Sequence, residues 1–134
     1  TMAKSWEKYG IHALETVYPI VGPGFESIQN IGDKNRNIVH LKHSKGIDIN
    51  IANINDMLGG FGLISLMGTK SGIQIKSTDT YYAFKKQLQS YVNYLLTGHK
   101  PVPWNETYEL MQLVSAGIES REKGGMKITL NKDK

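Results

Sequence analysis

The chain has 134 residues, 40% of them hydrophobic and 21% charged, with a net charge of +4 and no cysteine. That is one domain's worth of sequence, able to bury a core without disulfide or metal, and it excludes disulfides, thiolate metal sites and a thiol nucleophile. Apolar runs fall short of a membrane span, no signal-peptide pattern is present, and Lys and Arg are interleaved with Asp and Glu until a solvated tail from Lys127 to Lys134, so neither a membrane nor a nucleic acid is the expected partner. The compartment stays open, with the cytoplasm favoured.

In chain order, Trp6, Tyr9, Ala13 and Val17 recur at helical spacing and predict a first amphipathic helix, stopped by Pro19 and Gly22. The next stretch, Val21-Gly22-Pro23-Gly24-Phe25, resembles the opening of a dinucleotide-binding glycine loop. Such a loop must follow a strand and open a helix, so that the helix N-terminus meets the pyrophosphate. Here a helix precedes it and a strand pattern follows from Phe25, and Ser27 stands where the third glycine belongs. The glycines therefore read as a turn.

From Phe25 to Thr78 the pattern is β. Runs at Arg36 to His43 and Gly46 to Ile54 flank a tight-turn composition, with Ile47, Ile49 and Ile51 on one face and Asp48 and Asn50 on the other. Phe61 to Met67 and Gly72 to Lys76 form another pair, and the short links predict five successive strands in one antiparallel meander. A second helix carries the stripe Tyr81, Phe84, Leu88, Tyr91, Val92 and Leu95 and ends at Gly98. A third is expected from an Asn105 N-cap, with Glu106 and Glu109 in its first turn and the stripe Leu110, Leu113, Val114, Gly117 and Ile118. Met126 to Leu130 predicts a last strand. The fold class is α+β: a mostly antiparallel sheet with helices on one face, in a single domain over residues 1–134.

The candidate chemistry is sparse. His40 and His43 point to opposite faces of a strand and cannot share a metal, and His99 follows a helix end. The carboxylates Asp33, Asp48, Asp56 and Asp79 are scattered, no metal-ligand set emerges, and the aromatics Tyr81 to Tyr94 and Trp104 are expected in the core and helix packing. Lys8, His12 and Glu15 share one face of the first helix, placing an imidazole between an ammonium and a carboxylate. A helix-surface charge pattern explains the same spacing. Apolar area from Ile38, Leu41, Leu63 and Leu66 on the uncovered sheet face would favour association with a second copy.

The ordered combination of Tyr9-Gly10-Ile11-His12-Ala13-Leu14-Glu15, Gly68-Thr69-Lys70-Ser71-Gly72, Tyr82-Ala83-Phe84 to Gly98, Pro101-Val102-Pro103, Glu109-Leu110 and Ala116 to Arg121 with Gly124-Gly125 resembles the C-terminal α/β domain of the Gfo/Idh/MocA oxidoreductases. The resemblance implies a two-domain parent. Its Rossmann domain, absent from this chain, would bind NAD or NADP, and this domain would shape the pocket for a sugar, cyclitol or related polyhydroxy compound and form the oligomer interface on its open sheet face. No cofactor is expected on this domain alone, which by itself should be inactive. The family's helix motif, D-x-x-x-H with an acidic residue three positions on, makes His12 and Lys8 the catalytic candidates and Glu15 the substrate-binding one. Lys8 stands where the family has Asp, which puts Asp-assisted chemistry in doubt, since an ammonium takes no proton unless its pKa is depressed. A non-catalytic binding or dimerisation module, and an NAD-dependent glycosidase of the same family, are the alternative readings.

Overall fold

The computed structural model describes residues 2–57, 62–76 and 79–130. In chain order these form β1 (Met2–Ala3), α1 (Trp6–Val21), β2 (Phe25–Asn30), β3 (Arg36–His43), β4 (Asp48–Ile54), β5 (Leu63–Met67), β6 (Gly72–Lys76), α2 (Thr80–Thr97), α3 (Trp104–Glu122) and β7 (Ile128–Thr129). The main sheet has the order β1-β4-β3-β2-β7. Its β2-β3-β4 meander and the β2-β7 pair are antiparallel, and β1 joins the edge parallel to β4.

Alternation along β3 and β4 turns Val39, Leu41, Ile49 and Ile51 towards one face, and α1 and α3 cover it with Trp6, Leu14, Leu110 and Leu113. Removing each such side chain from water contributes about 1.5–3 kcal/mol, so this two-layer contact holds the domain together. The Trp6 indole lies at its centre. It is fully buried, donates from Nε1 to the Val114 carbonyl at 2.9 Å, and packs so tightly that a Cβ at Gly10 or Gly117 would lie 2.7 or 2.6 Å from the ring.

Several sequence expectations need correction. The five-strand meander is broken: among the described residues β5 and β6 pair with each other in a separate two-stranded sheet. Their link is a true hairpin, closed by Gly68 N–H donating to Ser71 O, whereas the segment from β4 to β5 is too long to impose pairing. Phe61 lies outside the described residues. Leu41 is buried under the helices, Leu63 and Leu66 sit on the separate hairpin, and of the four only Ile38 stands on the open face of the main sheet. Ile47 precedes β4 and is exposed. Pro19 does not stop α1, which runs to Val21 and ends where Gly22, at φ 77°, donates back to Tyr18 O. α3 begins at Trp104 behind Pro103, so Asn105 is not its cap and Glu109 lies in its second turn.

The largest departure is α2. Asp79 caps it by accepting from the Tyr82 N–H at 2.8 Å and a left-handed Gly98 ends it, yet none of its residues is buried. The aromatics expected in helix packing, Tyr81, Tyr82, Phe84, Tyr91 and Trp104, are exposed. Periodicity specifies that a helix has an apolar stripe, not what covers it.

Candidate functional site

Burial of Trp6, Gly10, Ala13, Leu14 and Tyr18 fixes the rotation of α1 on the sheet. Lys8, His12 and Glu15 are thereby turned together to the solvent side. His12 Nδ1 lies 3.0 Å from Glu15 Oε2, with both side chains about half exposed, and the Tyr9 ring meets the imidazole edge-on at 5.2 Å. Lys4 Nζ stands 5.0 Å from the centre of the Tyr9 ring. Lys8 is exposed and forms no ion pair among the described residues. An imidazole oriented by a carboxylate can accept and return a proton at its free Nε2. The pair lies on an open helix face, so a substrate would need a second surface to enclose it.

Two networks hold this helix in place. At its start, the Glu7 carboxylate is bound by Arg121 Nη2, and Arg121 Nη1 donates at 2.9 Å to Asn37 Oδ1, which also accepts from Asn30 Nδ2 at 2.9 Å. Burial pushes the Glu7 carboxyl up, but the hydrogen bond and charge of Arg121, with its backbone bond, outweigh burial and leave it below its ordinary value. Asn53, paired with Asn37 across the strands, donates to the Lys4 and Ser5 carbonyls at 3.2 and 3.4 Å just before the helix.

At the other end of α1, the glycine turn does hold an anion, and the anion is internal. Glu109 Oε1 accepts from the N–H groups of Gly24 and Phe25 at 2.9 and 3.0 Å, and Oε2 accepts from the Tyr18 hydroxyl at 2.7 Å. Burial, then the bond to Glu109 and its charge, push the Tyr18 hydroxyl far above its usual value. The fully buried His43 donates from Nε2 to the carbonyls of Pro23 and Gly22 at 3.1 and 3.3 Å, while its Nδ1 accepts from the Lys45 N–H at 3.1 Å. Amides already committed to a carboxylate are poor candidates for a pyrophosphate.

No protein-family model matches the chain, and no curated protein matches it. Solved structures do. A myo-inositol dehydrogenase from Corynebacterium glutamicum ATCC 13032 superposes with a TM-score of 0.76 at 19% identity, over 97% of this chain and 54% of that one. A myo-inositol dehydrogenase from Lactobacillus casei, solved in complex with NAD(H) and myo-inositol, superposes with a TM-score of 0.76 at 14% identity, over 97% of this chain and 52% of that one. The chain has the fold of half an inositol dehydrogenase. It spans about half the length of the solved structures it matches, in keeping with the resemblance to a C-terminal Gfo/Idh/MocA domain.

Within this inositol-dehydrogenase fold several other polar groups are paired locally. On the open sheet face Asp48 binds Lys42 at 2.8 Å and His40 at 3.0 Å, and these two bonds, Lys42 first, hold its carboxyl below the ordinary range. Asp33 closes a turn by accepting from the N–H groups of Asn35 and Arg36. Among the described residues no three His, Asp or Glu converge on a metal position, and no helix is long and apolar enough to cross a membrane. Sequence reasoning missed Glu109 and the Arg121-Asn37-Glu7 network. Their partners lie 84 to 114 residues away in the chain, beyond the reach of any local pattern.

Proposed function

We propose that the chain is the substrate-shaping and oligomerisation domain of an NAD(P)-dependent oxidoreductase acting on a sugar, cyclitol or related polyhydroxy compound. The likeness of fold to two inositol dehydrogenases over 97% of the chain carries this reading, and the His12–Glu15 pair on the outward face of α1 supports it. Bound NAD or NADP supplies hydride acceptance in such enzymes, and here it would be held mainly by a separate nucleotide-binding domain. The residues of this chain do the proton work. His12, oriented through Nδ1 by Glu15, accepts the hydroxyl proton as the carbinol carbon is oxidised and returns it in reduction. Glu15 also offers its second carboxylate oxygen to a neighbouring hydroxyl, and Lys8, one turn earlier, offers a cationic donor to the same substrate face. The open face of the main sheet, with Ile38 beside the Lys42-Asp48-His40 cluster, is the proposed oligomer surface.

The test is an assay of the two-domain polypeptide with myo-inositol and related polyols against NAD⁺ and NADP⁺. His12→Ala should lower kcat by about 10²–10⁴-fold with folding unchanged. Unaltered turnover would remove His12 from the site.

Lys8, in place of the family's Asp, favours a second reading as a non-catalytic binding module. For that reading, neither NAD(H) nor NADP(H) would raise the melting temperature of the two-domain polypeptide.

A further inference from the structure

The apolar stripe of α2 is left exposed along the length of the helix. Tyr81, Phe84, Leu88, Tyr91 and Leu95 are spaced 3, 4, 3 and 4 residues apart, the period of a two-helix seam and not of scattered surface apolars. They are 78%, 60%, 48%, 55% and 62% exposed. A shallow groove of about 580 Å³ runs past Tyr81, Phe84 and Leu88 to Val92 and Leu96, with Lys85 and Gln89 also on its wall. We propose that α2 pairs with the α2 of a second copy of this chain, the two helices antiparallel.

Area argues for a copy of matching size. With aromatic side chains of about 150–250 Å² apiece, the five seam residues present roughly 600 Å², and about 800 Å² together with Val92 and Leu96. The largest patch on an ordinary monomer is about 300–600 Å², and a standard interface buries about 800 Å² per partner. Charge decides the direction. Lys85 and Lys86 are the only charges on α2. Parallel pairing would gather all four lysines at one level. Antiparallel pairing, with Phe84 opposite the partner's Leu95 and Leu88 opposite the partner's Tyr91, carries each Lys85 and Lys86 towards the C-terminal half of the other helix. There the dipole favours cations. The arrangement is two-fold symmetric and leaves the open face of the main sheet free, so it is independent of the oligomer surface proposed above.

Light scattering and sedimentation of the 134-residue chain test it. The chain should dimerise at micromolar concentration, and Leu88→Glu with Tyr91→Glu should shift it at least tenfold towards monomer. Circular dichroism and melting of the core should hold, because no α2 residue is buried. Ile38→Lys, on the sheet face, should leave this dimer intact. The chain has no cysteine, so oxidation of an equal mixture of Phe84→Cys and Leu95→Cys should give the mixed disulfide dimer in excess over either like pair. A strict monomer, a dimer insensitive to the α2 substitutions, or one abolished by Ile38→Lys alone would overturn the proposal and hand the seam to another occupant. Like-pair disulfides in excess would overturn the antiparallel direction.

Discussion

Glu109 joins the end of α1, the glycine turn and α3 through one carboxylate. Replacing it with Ala strands two amide donors and a phenol, and should cost about 2–3 kcal/mol in denaturant unfolding, with Tyr18→Phe costing about 1 kcal/mol. Gly117→Ala drives a methyl into the Trp6 indole and should cost about 1–3 kcal/mol, partly relieved in a Trp6→Phe background. Glu7 predicts a pH dependence. Its carboxyl is held below its ordinary value of 4.5, so its contribution is present above that pH and is lost as pH falls through the lower folded value. The stability gap between the native chain and Glu7→Gln, read from urea midpoints, should be largest near neutrality and shrink as pH falls below 4.5. A gap that widened on acidification would contradict the Arg121 pairing. Local chemistry in the sequence pointed to His12 and Glu15, because their separation of three residues is enough to join them on a helix. It did not point to Glu109 or Arg121, whose roles exist only once distant elements meet.

At the scale of elements, the helices and the strands of the meander were legible because each needs only its own periodicity. What each element packs against was not. α1 and α3 lie on the sheet through Trp6, Leu14 and Leu113, whereas α2, with an equally clear stripe, buries nothing. An isolated helix of this length is marginal in water, so amide exchange should report the difference. In dilute chain, α2 amides should exchange far faster than those of α1, α3 and β3, and their protection should rise with protein concentration while that of α1 stays constant. Concentration-independent exchange in α2 would tell against pairing between copies. The hairpin of β5 and β6 illustrates the same limit: its own turn was readable from Gly68 to Gly72, and its separation from the main sheet was not.

For the whole molecule, the proposed function requires a second surface, since the His12–Glu15 pair is about half exposed on an open helix face among the described residues. Addition of NAD(H) to the 134-residue chain alone should leave its melting temperature unchanged, while the two-domain polypeptide should gain several degrees at saturating ligand. Stabilisation of the short chain would place a nucleotide site where the geometry shows amides committed to Glu109. By itself the sequence determined the fold class, the positions of the three helices and the single face shared by Lys8, His12 and Glu15, because periodicity and short-range spacing act within one element. Only the tertiary structure decided that the glycine turn serves a carboxylate from α3, that Arg121 anchors the start of α1, and that the α2 stripe is left exposed. Those outcomes depend on contacts between residues far apart in the chain, and their energies arise only when the packed elements bring the groups together.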